Sequence, residues 1–346
     1  MNLSQEDSLR LNIMLVSAIA IKIDEGTMVV QGLLKNGKES AIKLNPNCHC
    51  DQYTRYVREL LSSSVLGSPG GYPVFLKRWT RMGQTSEAIR LEDLLKLGEP
   101  EACIAVTGSS SLTDELAERA WWIMPSADNA RSMLRHATVA EGSMGKTLAE
   151  FLLEFLPFEQ EPKAIIESVS LILQPGLIDA ATKQAIWDRG QKKGVFRLGF
   201  LKTVPDALPA FKEARDVTYD LQKLKSLSNK GNVFSRQLLR IYSDQGQSYI
   251  NVCEGILHKP SNQDTVVSLL NVMVDYLAKI RLFDLSYPDV ESIENDITDV
   301  MSNDQPIETI VNPIFSLTDA IGSVMRRKIE PISRPINRYL RTLQGL

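Results

Sequence analysis

Ala18-Ile19-Ala20-Ile21-Lys22-Ile23-Asp24-Glu25-Gly26, with Met28-Val29-Val30, Lys35-Asn36-Gly37-Lys38 and Ala41-Ile42-Lys43-Leu44 behind it, is the stretch that decides the fold. Its apolar and β-branched runs are short and are separated by Glu25-Gly26 and Asn36-Gly37, pairs that suit hairpin turns. Residues 19–44 therefore read as a small sheet. Tyr53, Tyr56, Val57, Leu60 and Leu61 recur at helical spacing and predict a helix over 51–63. Gly67-Ser68-Pro69-Gly70-Gly71-Tyr72-Pro73 ends that helix. The apolar run Ala102-Cys103-Ile104-Ala105-Val106 reads as a further short strand, closing an α+β unit over residues 1–110.

Beyond Leu112 the strand signals nearly vanish. Thr113-Asp114-Glu115, Ser126-Ala127-Asp128, Ser261-Asn262-Gln263-Asp264 and Asn312-Pro313 each have the form of a helix start, a capping side chain followed by an acid or Pro in the first turn. Residues 111–283 are expected to form a helical domain. Ala117-Glu118 with Met124-Pro125 is echoed 32 residues on by Ala149-Glu150 with Leu156-Pro157, a period that suits stacked helix pairs. The expected fold class is mainly α with a small N-terminal α+β unit, as an irregular helical bundle or a short helical-repeat array.

Residues 284–346 form a third region. Asp284, Asp289, Glu291, Glu294, Asp296, Asp299, Asp304 and Glu308 stand without a Lys or Arg among them over 284–308. Then the sign reverses, with Arg326, Arg327, Lys328, Arg334, Arg338 and Arg341 beside an apolar stripe of Ile329, Ile332, Ile336, Leu340 and Leu343. Pro331 and Pro335 predict two short helices rather than one, packed on the helical domain. Opposite charge so close in sequence also predicts docking of the basic tail on the acidic run.

The whole chain of 346 residues is 43% hydrophobic and 23% charged, the profile of a folded globular protein. A net charge of -3 gives no global pull toward nucleic acid or membrane, so any such contact must be local. Acids in the first seven residues and an apolar run, Ile13 to Ile21, too short to span a bilayer predict a cytoplasmic protein with no membrane insertion. Four cysteines in a chain of this length are expected to be reduced.

Three segments carry candidate chemistry. Ala140-Glu141-Gly142-Ser143-Met144-Gly145-Lys146-Thr147 fits a loose phosphate-binding loop, with Lys146 on the terminal phosphates of a nucleotide; it reads equally as a loop opening a helix. Cys48 and Cys50 flank His49 at the expected start of a helix, a setting that lowers a thiol pKa and would suit a sulfur carrier or redox thiol. Too few ligands are present there for zinc, and no metal or cofactor is expected. Phe75, Lys77, Arg78, Trp79 and Arg81 form a basic and aromatic cluster able to stack on RNA, or equally a packed Trp under snorkelling cations. Lys77, Arg78, Trp79 and Arg81, with Arg326, Arg327 and Lys328, are the expected interaction surface. Cys103 and Cys253 read as core thiols, and His136 and His258 as helix-end residues. No catalytic residue stands out, so a binding role is expected ahead of an enzyme.

Several longer strings carry a resemblance. Ser4-Gln5-Glu6-Asp7-Ser8-Leu9-Arg10-Leu11-Asn12, Leu44-Asn45-Pro46-Asn47-Cys48, Arg58-Glu59-Leu60-Leu61, the Gly67 to Pro73 turn and Arg78-Trp79-Thr80-Arg81-Met82-Gly83 are followed by three more. These are Leu97-Gly98-Glu99-Pro100-Glu101-Ala102, Ala120-Trp121-Trp122-Ile123-Met124-Pro125 and Leu173-Gln174-Pro175-Gly176-Leu177-Ile178-Asp179. In collinear order over at least the first two thirds of the chain, they resemble the sulfur reduction protein DsrS family. The resemblance implies a cytoplasmic protein encoded with the reverse-acting dissimilatory sulfite reductase (Dsr) system of sulfur-oxidising bacteria. It further implies support or regulation of Dsr protein production, with protein partners of that system or RNA, and carries over no catalytic residue.

Overall fold

The computed structural model describes residues 3–67, 70–71, 90–216, 221–277 and 323–346. The described chain is mainly helical, with sixteen helices and one three-stranded sheet near the N-terminus. It forms two compact units, Met1–Phe155 and Leu156–Leu346.

The first unit opens with a helix that the sequence reading did not anticipate, α1 (Gln5–Ser17). Ser4 caps it by accepting a hydrogen bond from Asp7 N, and a Ser followed three residues on by an acid is the signal that marks such a start. The anticipated sheet follows as β1 (Ala18–Asp24), β2 (Val29–Leu34) and β3 (Glu39–Lys43), antiparallel in the order β1-β2-β3. Asn36-Gly37 behaves as hairpin chemistry requires, with Gly37 at φ +76°. The first turn is built differently. Asp24 holds it by accepting hydrogen bonds from Gly26 N, Thr27 N and Thr27 Oγ1, and the positive φ falls on Met28 at +53°. Ile21, Val30 and Leu44 of this sheet region bury against Leu11 and Met14 of α1 and Tyr53, Val57 and Leu61 of α2 (Cys50–Leu66). Gly67, at φ +64°, ends α2.

Then come α3 (Leu91–Leu94), α4 (Pro100–Thr107), α5 (Asp114–Ile123), α6 (Ala127–Leu134), α7 (Ala137–Ala140) and α8 (Ser143–Phe155). The expected strand over 102–106 is instead the body of α4. Pro100 at the first helical position and Glu101 in the first turn favour the helix, and Ala102, Cys103, Val106 and Thr107 bury at helical, not alternating, spacing. Thr113 and Ser126 cap α5 and α6 as read from the sequence. The first compact unit ends at Phe155, and within it α5 is fastened to the sheet. Trp122 Nε1 donates to Glu39 Oε1 at 2.7 Å, and Lys22 Nζ lies 4.1 Å from the Trp122 ring centroid.

The second unit holds α9 (Pro162–Ile172), α10 (Ala180–Arg189), α11 (Val195–Thr203), α12 (Leu221–Asn229), α13 (Val233–Tyr242), α14 (Asp244–His258), α15 (Gln263–Leu277) and α16 (Ser323–Gln344). Gly199 lets α11 approach α9, since a Cβ there would sit 2.5 Å from Val169 Cγ1. Tyr249 of α14 and Tyr276 of α15 stack at 3.9 Å inside the unit, with the Arg240 guanidinium 3.9 Å from the Tyr276 ring. Asp206 holds that guanidinium through two hydrogen bonds.

The tail departs from expectation in one respect. α16 is a single helix containing both Pro331 and Pro335. The two prolines are one helical turn apart and both exposed, so the missing N–H groups leave unbonded carbonyls on the outer face, where water can reach them. Its apolar stripe buries as predicted: Ile329 packs with Val266, Val267 and Leu270 of α15, flanked by Ile332 and Ile336. The acidic run over 284–308, the Asn312-Pro313 start and the tail's expected acidic partner lie outside the described residues.

Candidate functional site

α16 is held in place through one face and leaves another to solvent. Besides the apolar stripe, its C-terminal end is gripped by Arg215, whose Nη1 donates to Thr342 O at 2.8 Å and Leu343 O at 3.2 Å. A guanidinium on the last carbonyls meets the negative end of the helix dipole. Gln247 Nε2 donates to Leu343 O at 3.2 Å from within α14, and Arg341 pairs with Glu254 of the same helix at 2.9 Å.

At 100° per residue, Arg326, Arg327, Arg334, Arg338 and Arg341 fall in a sector of about 120°, and the row spans about 22 Å. Arg326, Arg327, Arg334 and Arg338 are exposed and have no acidic partner among the described residues. Lys328 is half-buried. Toward its N-terminal half the row borders a groove of about 590 Å³, floored by Leu257 and Ile329 and rimmed by His258, Arg326, Arg327 and Arg334. Glu330, Ser333 and Asn337 complete the lining. The Asn337 side-chain oxygen is shut off from water and accepts no hydrogen bond. Arg326 and Arg327 were legible from sequence as cations; the groove was not, because His258 and Leu257 come from a helix 68 residues away in the chain at its nearest lining pair.

The Cys48-His49-Cys50 segment sits where α2 begins. Cys50 is the first helical residue and exposed, while Cys48 is half-buried against the core of the first unit. His49 occupies the capping position but caps nothing with its side chain, which lies 3.7 Å from Asp51 Oδ2 and largely in water. No group of three metal-ligating side chains occurs among the described residues. Cys103 and Cys253 are buried as expected, and burial pushes the Cys103 thiol up to about 12.

Lys146 lies in the first turn of α8, whose N-terminus is already occupied. Asp114 accepts hydrogen bonds there from Ser143 N, Ser143 Oγ and Met144 N. The element ahead of the turn is α7, a helix, where a phosphate-binding loop would follow a strand. Gly142 and Gly145 are explained by packing: a Cβ on the first would run into Asp114 and on the second into Ala140 O. Lys77, Arg78, Trp79 and Arg81 lie outside the described residues. No described helix is long and apolar enough to cross a membrane. Compared with known proteins, the chain matches no family model, no curated protein and no solved structure.

Proposed function

We propose that the chain is a non-enzymatic, cytoplasmic interaction or regulatory protein of dissimilatory sulfur oxidation, working with proteins of the Dsr system. The observation that supports a binding role is the division of labour on α16. Apolar residues, Arg215 and Gln247 fasten the helix, and four arginines left without acidic partners among the described residues face outward. Desolvating such a row against neutral surface would be unfavourable, so its partner carries negative charge. The pathway comes from the resemblance of the first two thirds of the chain to the DsrS family.

The test is affinity purification of the full-length chain from sulfur-oxidising cells. Enrichment of Dsr proteins over an untagged control, reduced in an Arg326→Glu/Arg327→Glu variant, is the expected result. Equal recovery with and without the tag removes the reading. Enrichment of RNA in place of protein would move the function to nucleic-acid binding.

A second reading makes Cys48 or Cys50 a sulfur carrier or redox thiol, supported by the exposed thiol of Cys50 at the first position of α2. Mass spectrometry after incubation with a persulfide donor decides it. One added sulfur on Cys50 or Cys48 supports the carrier, and unmodified thiols on both exclude it.

A further inference from the structure

We propose that the groove between α14 and α16 binds an acidic peptide segment in extended form, presenting two acidic positions that flank an apolar residue. This deepens the interaction reading above and rests on it. Three features of the lining carry the assignment.

The first is the placement of charge. Arg326 and Arg327 lie one turn before Glu330, and Arg334 lies one turn after it. The two cationic positions are thus about 12 Å apart along the helix, with a carboxylate between them. A ligand of continuous negative charge meets Glu330 unfavourably. A ligand with two separated acidic positions pairs with both cationic ends and keeps its neutral middle on Glu330. In an extended peptide, residues i and i+4 are about 13 Å apart and share a face with i+2. The spacing therefore matches acid, any residue, apolar, any residue, acid.

The second is the floor. Leu257 and Ile329 line the groove beneath the arginines, so the apolar residue at i+2 has a surface on which to bury. Guanidinium groups suit carboxylates above such a floor, because their planar fork makes two parallel hydrogen bonds to one carboxylate.

The third is Asn337. Its side chain lines the groove as a neutral amide, a group that pairs with the amides of a peptide backbone. The phosphodiester groups of a nucleic acid offer acceptors only, and their continuous negative charge meets Glu330 in the same lining. Single-stranded nucleic acid also gains its affinity by stacking on aromatic rings, and His258 is the one ring that lines this groove among the described residues.

Fluorescence anisotropy of the labelled peptide Asp-Ser-Leu-Ser-Asp with the full-length chain tests the proposal. Binding is expected, and Arg326→Gln/Arg327→Gln is expected to weaken it at least about tenfold, since it removes both forks at one end. Arg338→Gln, outside the groove lining, should change it less than about twofold. Leu→Ser within the peptide should weaken binding, and so should shortening the acid spacing to i, i+2. Circular dichroism of each variant reports whether α16 still folds, and all three arginines are exposed. Equal affinity for oligouridylate or inorganic polyphosphate of the same charge overturns the proposal in favour of unspecific polyanion binding. An equal loss with Arg338→Gln overturns it in favour of a diffuse field along the helix. If the peptide fails while Dsr proteins still co-purify, the groove assignment falls and the interaction role stands. If the peptide binds and no Dsr protein co-purifies, the reverse holds.

Discussion

Asp114, at the first position of α5, caps α8 from 29 residues away: its Oδ2 accepts from Ser143 N at 2.8 Å and from Ser143 Oγ at 2.7 Å. Its Oδ1 accepts from Met144 N at 3.1 Å. One carboxylate thus satisfies two amides that a helix start leaves open, and sits at the positive end of the helix dipole. Burial pushes the Asp114 carboxyl up, but the hydrogen bonds from Ser143 and Met144 outweigh it and hold the group below the ordinary carboxylate value.

Replacing Asp114 by Ala should therefore destabilise the first unit by about 1 to 2 kcal/mol, the usual cost of a lost N-cap. A group with a lowered folded pKa contributes stability that is present above its unfolded value of 3.8 and disappears as pH falls through the folded one. The difference between wild type and Asp114→Ala in urea midpoint should accordingly be full at pH 7 and shrink below about pH 4. A constant difference down to pH 2 would show that the carboxylate charge does not matter there.

The same contact predicts the outcome with nucleotides. Because Asp114 fills the amide cradle that phosphates would need, and a negative charge already occupies it, millimolar Mg-ATP or Mg-GTP should leave the melting temperature of the chain unchanged. A bound nucleotide at 100 times its dissociation constant would instead add about 2.7 kcal/mol. A stabilisation of that size, lost in Lys146→Ala, would restore the phosphate-loop reading.

The cysteines should separate into two classes. Cys50 is exposed and should react first with a disulfide reagent, and the half-buried Cys48 should follow. Cys103 and Cys253 should react only on unfolding. Burial pushes the Cys103 thiol up to about 12 and the Cys253 thiol upward as well. Above the ordinary value of 9.0 the unfolded chain releases these protons and the folded chain keeps them, so stability present at neutral pH is lost as pH rises through the folded values. Each thiol contributes a slope of up to about 1.4 kcal/mol per pH unit, and the buried phenols of Tyr249 and Tyr276, also shifted upward by burial, add to it above pH 10. Urea denaturation from pH 8 to 11 reads the slope, and Cys103→Ala should flatten it.

Tyr53 and Asp7 offer a test of the first core. Asp7 is fully buried, and its Oδ2 accepts from the Tyr53 hydroxyl at 2.5 Å and from Asn45 N at 2.9 Å, joining α1, α2 and the segment after β3. Tyr53→Phe keeps the ring and removes one of two donors to a buried carboxylate. The expected loss is about 1.5 to 3 kcal/mol, read from chemical denaturation. Asp7→Asn in the Tyr53→Phe background should recover part of it, since the uncompensated acid is gone.

What the sequence made legible follows from the range of each interaction. The Asn36-Gly37 hairpin and the caps at Thr113 and Ser126 depend on neighbours within a few residues, and each was readable. Ala102 to Val106 is an apolar run short enough for strand or helix, and Pro100-Glu101 just before it was the cue that decides for helix. The Ser4 and Asp7 start was equally local and went unread because the apolar run behind it merges into β1. Asp114 with Ser143, Trp122 with Glu39, and His258 beside Arg326 unite residues separated by 29, 83 and 68 positions, and no local pattern encodes them. The cationic face of α16 was visible as letters; that it borders a groove required the fold.

Pro331 and Pro335 give the last test. Each removes a helix hydrogen bond, from the carbonyls of Arg327 and Pro331, and Pro in a helix interior is about 3 kcal/mol less favourable than Ala. Both rings are exposed, so replacing them sacrifices little packing. Pro331→Ala/Pro335→Ala should thus stabilise α16 by about 1 to 3 kcal/mol, seen as slower hydrogen exchange of the amides over 333–343 with no change in the arrangement of its arginines. Faster exchange would show that the prolines hold the helix against α14 and α15 rather than merely being tolerated there. The outcome also bears on the groove, because a stiffer α16 presents Arg326 and Arg334 at a more closely fixed spacing. Affinity for the acidic peptide should then rise, by lowering the entropy lost when the two ends are engaged together.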